Sequence, residues 1–416
     1  MERYVYRPTL FTIGLACAAA ALWRSPLWAQ VDRWQDRDVR WTQAAVLAVM
    51  ALVIFRWAWR TCGSFAADVR HALRHRRGRV ATIMTLSFIT LGLAATELIY
   101  ARLLAQRPAH IERLGGTVTD EDYVLDDPIL GYRPRPGMRA TATKHVNDQL
   151  VYDVAYTIND DGWRETPQNA AADDNPPLVL CFGGSNMFGE GVNDHEALPA
   201  QIARLRPAAQ VVNCAFSGYG PNQMLAMIET GRLDDLVRGR DVVAVYLYID
   251  AHVTRVAGSM VPVSIWTGPT PCYEMNDAGQ AVRRGSFLEH RRIRSWLYAL
   301  LSRSNLVRYF AIDLPTMGDR HYALTARVVE QAGEALTRRS AQCRLYMMPI
   351  PVAQTYDRLT DQLQNDQVTV LDYRGLWSGD DPDYYIPLDW HPTPLAHRTL
   401  AQRLVEDILP HNRQSR

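Results

Sequence analysis

The run Val242–Tyr248 is apolar at every position, and nothing else constrains the fold of this chain as tightly. Seven such residues without alternation suit a strand buried on both faces of a parallel sheet, which requires helices above and below it. Leu178–Phe182 is a second run of this kind. Between and after them the pattern alternates: strands over 210–214, 343–348 and 368–371, and helices over 196–205, 222–230, 322–338 and 394–408. This order predicts a three-layer α/β/α, flavodoxin-like domain over about 173–416, with its site at the carboxyl ends of the strands. An insertion at 256–310 interrupts it. Within the insertion, Cys272 to Val282 reads as a hairpin, followed by a helix through about Phe310.

The preceding segment, 106–172, has a different character. Leu130-Gly131-Tyr132-Arg133-Pro134-Arg135-Pro136-Gly137 is a proline-punctuated extended stretch, and Val151 to Ile158 alternates as a strand does. Asn159-Asp160-Asp161-Gly162 reads as its turn, and Ala170 to Pro177 as a linker. A small β-rich lead-in is therefore expected.

Earlier still, the first 105 residues hold three apolar runs, at about 9–29, 41–59 and 80–104. A helix of ~20 apolar residues crosses a bilayer core. The second and third runs meet that length and the first is borderline. A signal peptide is the alternative for the first run, against which stand the poor cleavage site at Ala29-Gln30-Val31 and the two further spans. Six arginines between 60 and 79 (Arg60, Arg70, Arg74, Arg76, Arg77, Arg79) face one acid, Asp68. The positive-inside bias makes that loop cytoplasmic, the N-terminus cytoplasmic, and everything after about residue 105 extracytoplasmic. The expected location is a bacterial inner membrane with a periplasmic C-terminal domain.

Formal charge is +1, which gives bulk electrostatics no reason to favour a nucleic-acid partner. Of the 45 basic residues only Lys144 is lysine, which reads as compositional bias. Eleven histidines and six cysteines form no recognised metal-ligand spacing, and no phosphate-binding glycine loop is present, so no metal or cofactor is expected. Cys181 and Cys214 lie on expected core strands, whereas Cys272 and Cys343 are available for a disulfide in an oxidising compartment.

The chemistry-bearing residues sit at two places. Phe182-Gly183-Gly184-Ser185-Asn186-Met187-Phe188-Gly189-Glu190-Gly191-Val192 runs from a strand into a glycine-flanked serine. A nucleophilic serine needs such a tight turn at a strand end. Asp389-Trp390-His391-Pro392, near the other end of the chain, offers an acid and a base. With Asn213-Cys214-Ala215-Phe216-Ser217-Gly218 between them, these blocks resemble the SGNH (GDSL-type) hydrolase superfamily over about 176–260 and 384–408. The lead-in ending Tyr156-Thr157-Ile158-Asn159-Asp160-Asp161-Gly162-Trp163-Arg164 is similar to a segment of membrane-tethered members.

The resemblance implies Ser185 as nucleophile, His391 as base, Asp389 as its acid, and an oxyanion hole from the amides of Ser185 and Gly218. Two departures, at Asp250 and Leu388, stand out beside a variation that the superfamily tolerates, at Gly184. The superfamily's usual aspartate before the serine is Gly184. Its oxyanion asparagine falls at Asp250, which has no proton to donate when ionised; His252 or Arg255 could neutralise it, or Asp250 could be structural. Its acid normally lies three residues before the histidine, where this chain has Leu388; Asp389 is two before, and Asp383 or Asp372 is the alternative. His397 reads as structural, and Asn186 and Asn222 flank the expected cavity.

The activity implied is that of a membrane-anchored serine esterase or O-acyltransferase. Its expected substrate is an O-acylated exopolysaccharide, cellulose being one candidate, or another envelope glycan, and its expected partner the exopolysaccharide synthesis or export machinery. Two other readings remain open. One is a catalytically silent SGNH-fold module binding a glycan or partner. The other is a lipid esterase or thioesterase capped by the insertion, whose Ser264-Ile265-Trp266 and Trp296-Leu297-Tyr298 are apolar enough for a cap or for core packing.

Overall fold

A computed structural model describes residues 76–107, 111–167, 176–340, 342–379 and 381–409. The chain divides into two compact units, Met1–Arg107 and Pro108–Arg416. In the first, one helix is described, Arg76–Ala105, of which Ile83–Ala105 is long and apolar enough to cross a membrane. The expected spans at 9–29 and 41–59 lie outside the described residues.

The second unit begins with the lead-in. Strands β1 (Glu112–Gly115), β4 (Arg139–Val146) and β5 (Gln149–Thr157) form an antiparallel sheet in the order β1-β4-β5. Strands β2 (Val124–Asp127) and β3 (Gly131–Pro134) make a separate hairpin. In β4 the side chains of Ala140, Ala142, Lys144 and Val146 share the buried face.

The main sheet holds β6 (Leu178–Phe182), β7 (Gln210–Asn213), β8 (Val242–Tyr248), β11 (Cys343–Pro349) and β12 (Val368–Val370). All are parallel, in the order β12-β11-β8-β6-β7. That is the flavodoxin-like order, and chain direction across the sheet reverses between β6 and β8. Every residue of β6 is buried, as its unbroken apolar run requires. Helices Pro221–Glu229, Ala251–Ala257 and Asp319–Thr337 pack together as one layer, and Leu198–Leu205 with Pro394–Ile408 as another.

The insertion carries the hairpin β9 (Pro271–Met275) and β10 (Ala281–Ser286) and its own small core of Met260, Val263, Cys272, Phe287 and Tyr298. The single helix expected up to Phe310 is three short ones, Phe287–His290, Arg292–Leu301 and Asn305–Tyr309. Ser286 and Ser304 supply the caps that restart it, accepting from the amides of Glu289 and Val307. Cys272 and Cys343 are both free, so no disulfide joins them. Burial pushes their thiols up, to about 11 and about 12.

Arg164, the last residue of the lead-in motif, is fully buried in the main domain. Its guanidinium donates to the carbonyls of Phe188 (2.7 Å), Gly189 (2.6 Å) and Val192 (2.7 Å) and pairs with Asp194 at 2.9 Å. It also lies over the rings of Tyr156 and Phe188. This one side chain fixes the loop that follows Ser185. Arg164→Met strands three carbonyls and a carboxylate, and should cost about 3–5 kcal/mol of stability. Chemical denaturation with a folded-state spectrum of each variant measures it.

Candidate active site

Ser185 leaves the carboxyl end of β6, beside the point where the sheet reverses. It opens a four-residue helix, Ser185–Phe188, closed by left-handed Gly189. A Cβ on Gly184 would meet Arg255 Nη1 at 2.8 Å, the Tyr219 carbonyl at 2.9 Å and His252 Nε2 at 3.4 Å. The space beside Gly184 is thus filled by a buried arginine, a buried histidine and a backbone carbonyl, and only glycine fits. Ser185 is buried, and among the described residues no hydrogen bond is formed by its hydroxyl.

Gly218 follows β7 in left-handed backbone, φ +81°, where glycine is favoured. Tyr132 from the lead-in donates to the Ser217 carbonyl at 2.9 Å, and Trp266 from the insertion lies against the same turn. Among the described residues no protein acceptor takes the amide of Ser185 or Gly218, so both remain available as oxyanion donors.

Asp389 and His391 pair within the 384–392 loop. Asp389 Oδ2 lies 2.8 Å from His391 Nδ1, the bond that holds the other ring nitrogen in the acceptor tautomer. The two-residue spacing works because Leu388 and Trp390 both take left-handed backbone, at φ +66° and +68°. Such conformations in bulky residues are sparsely populated and persist only where the surroundings enforce them. Here Ile386 donates to the His391 carbonyl at 2.8 Å, and Thr393 ties the loop to the carbonyls of Asp383 and Tyr384. Neither alternative acid takes the imidazole nitrogen that Asp389 holds: Asp372 pairs with Arg374, and Asp383 is exposed.

The other oxygen of Asp389 accepts from Lys144 Nζ at 2.6 Å, and Lys144 also pairs with Glu112 at 3.0 Å. The only lysine of the chain is therefore the buried counter-ion of the proposed acid, not mere compositional bias. Its signal was present in the alternation of β4, where a lone cation falls on the face otherwise held by Ala140, Ala142 and Val146. Local pattern could not name its partner, 245 residues away.

Glu190 is the second residue the sequence reading missed. It lies in the glycine-flanked loop after Ser185, accepts from Ser217 Oγ at 2.6 Å, and acts electrostatically on His391. Burial favours the neutral imidazole of His391. The Asp389 hydrogen bond, the Glu190 charge and the Asp389 charge outweigh it and raise its pKa above the usual value, with Lys144 opposing. For Asp389, burial works upward. The His391 bond and charge, then Lys144, overcome it and hold the carboxyl below its usual range.

The Ser185 and His391 segments, about two hundred positions apart, meet along Gly191, where a Cβ would strike Ile386 Cδ1 at 2.5 Å. The imidazole bonds Asp389, and among the described residues no hydrogen bond joins it to Ser185 Oγ. Such bonds are often open without substrate and tighten only in the complex.

Asp250 corrects the expectation placed on it. Its carboxylate accepts from the amides of Gln354 (2.9 Å) and Thr355 (3.0 Å) and the hydroxyl of Thr355 (2.7 Å). It anchors the loop after β11, the structural one of the readings open for it. Asn222 is likewise structural, donating to the Pro271 carbonyl at 3.1 Å. His397 is fully buried with neither ring nitrogen bonded, and burial depresses its pKa to about 3. Among the described residues no cluster of His, Cys, Asp and Glu could hold a metal ion.

No family model and no curated protein matches the chain. Among solved structures, the acetyl xylan esterase Est2A from the rumen bacterium Butyrivibrio proteoclasticus is 8% identical. The match covers 71% of this chain and 97% of that one, with a TM-score of 0.35. The lipase Lip_vut3 from a goat rumen metagenome is 13% identical over 55% and 96%, at 0.33. A family two carbohydrate esterase from Clostridium thermocellum, in complex with cellohexaose, is 12% identical over 57% and 65%, at 0.34. At these scores the likeness decides nothing about the chemistry of this chain.

Proposed function

We propose that this chain is a serine esterase or O-acyltransferase of the SGNH type, anchored to the inner membrane and acting outside the cytoplasm on an O-acylated glycan. The observation that carries the reading is the hydrogen-bonded chain Lys144–Asp389–His391, whose loop packs through Ile386 against Gly191 of the loop that follows Ser185. His391 takes the Ser185 proton as the oxygen attacks the ester carbonyl, and the alcohol leaves with that proton. The amides of Ser185 and Gly218 receive the oxyanion. Water, or a second sugar hydroxyl, then resolves the acyl-serine with His391 again as base. The hole has two amide donors and lacks the usual side-chain donor. Removing one such donor costs about 3–4 kcal/mol in other enzymes, so a modest turnover fits this site.

The glycan half of the proposal draws on Trp390. It stands between acid and base, 75% exposed, on left-handed backbone beside the Tyr385 ring. An indole held open at such a place suits the apolar face of a sugar ring. Cellulose is one such glycan. Trp390→Ala should raise KM for an acetylated oligosaccharide roughly tenfold, the factor given by about 1.4 kcal/mol of lost contact. Turnover of a small aryl acetate should be unchanged. Steady-state kinetics with both substrates checks this.

The direct test is acetyl-ester turnover, with water or a sugar acceptor, by the full chain. Wild type should turn over and Ser185→Ala should not. Equal rates would remove the assignment and leave the silent binding module as the reading.

A further inference from the structure

The helix Arg292–Leu301 of the insertion presents an apolar stripe to solvent. Ile293, Trp296, Leu297 and Leu300 are 79%, 64%, 42% and 54% exposed, while Ser295 and Tyr298 on the opposite face are buried. Their spacing of i, i+3, i+4 and i+7 places all four side chains on one face. Core packing therefore does not explain Trp296 and Leu297. Contiguous exposed apolar surface of this kind marks an interaction site.

We propose that this stripe lies in the headgroup region of an anionic lipid bilayer. Charge selects this occupant. No acidic residue lies within Arg292–Leu301, and exposed Arg292 and Arg303 stand at either end of the stripe. A second copy docked on the same face would set arginine against arginine, whereas anionic headgroups complement them. A basic helix with tryptophan and aliphatics on its apolar face is the form that settles in the interfacial plane. The proposal does not depend on the catalytic reading.

The test uses the full chain in nanodiscs of phosphatidylglycerol and phosphatidylcholine. An environment-sensitive fluorescent amino acid is installed at position 300 and, separately, at position 277 in the exposed hairpin tip. Emission at 300 should shift to the blue and lose about half its intensity to doxyl-labelled lipid, with position 277 unaffected. The double variant Arg292→Gln/Arg303→Gln, whose unchanged circular dichroism reports folding, should lose most of the quenching. Emission at 300 matching that at 277 would overturn the proposal. So would a blue shift that doxyl lipid does not quench, because protein would then cover the stripe.

Discussion

Asp389→Asn should lower kcat/KM for an ester substrate about 10⁴-fold while leaving the fold intact, the size of effect seen when a triad acid becomes an amide. The substituted side chain is nearly isosteric with the carboxylate, so Lys144 keeps an oxygen to bond. What changes is the imidazole. An amide nitrogen facing Nδ1 favours the tautomer with the proton on Nε2, which leaves no lone pair aimed at Ser185. The positive charge formed on His391 during attack also loses the carboxylate 2.8 Å away. Unchanged thermal unfolding alongside the lost rate separates this from collapse of the left-handed 388–390 loop. A loss of tenfold or less would show that Asp389 only ties the loop to Lys144.

Lys144 and Glu190 should move the pH–rate profile in opposite directions. His391 works as a base only when neutral, and its pKa is raised above the ordinary 6.5. Activity should therefore fall as pH drops through a value above 6.5. Lys144 opposes protonation of the ring, so Lys144→Met should carry the acid limb to higher pH. Glu190 favours protonation, so Glu190→Gln should carry it to lower pH. Lys144→Met also frees the buried Asp389 carboxylate to shift, and misplacement of this kind costs up to about 100-fold in plateau kcat/KM. Lys144→Arg keeps the charge and should restore the limb. If Lys144 merely fastened β4 to the domain, its removal would lower the unfolding temperature and leave the limb where it was.

The parts of this molecule legible in sequence are those written locally. Leu178–Phe182, Val242–Tyr248 and the helix Pro394–Ile408 fall at the expected limits. Two are unbroken apolar runs, and the third opens with a Thr393 cap and a proline that the backbone needs there. The insertion was less legible because its helix breaks at Arg291, with no capping side chain to mark it, and again at the single serine 304, inside a pattern that otherwise stays helical. Ser185 stood out by its flanking glycines, and Asp389 and His391 by their residue types in Asp389-Trp390-His391-Pro392. The roles of Lys144, Glu190 and Arg164 come from tertiary pairing, which no local pattern encodes. Asp250 illustrates the converse: an ungapped placement put it in the oxyanion hole, yet the loop after β11 takes up its carboxylate.

The central claim is that Ser185 is a nucleophile activated by His391. Labelling the full chain with a fluorophosphonate and mapping the adduct by peptide mass spectrometry tests it most directly. The expected result is a single adduct on the Ser185 peptide, formed more slowly at pH below the imidazole titration and abolished in folded His391→Ala. An adduct on another residue, or undiminished labelling of Ser185 in His391→Ala, would contradict it.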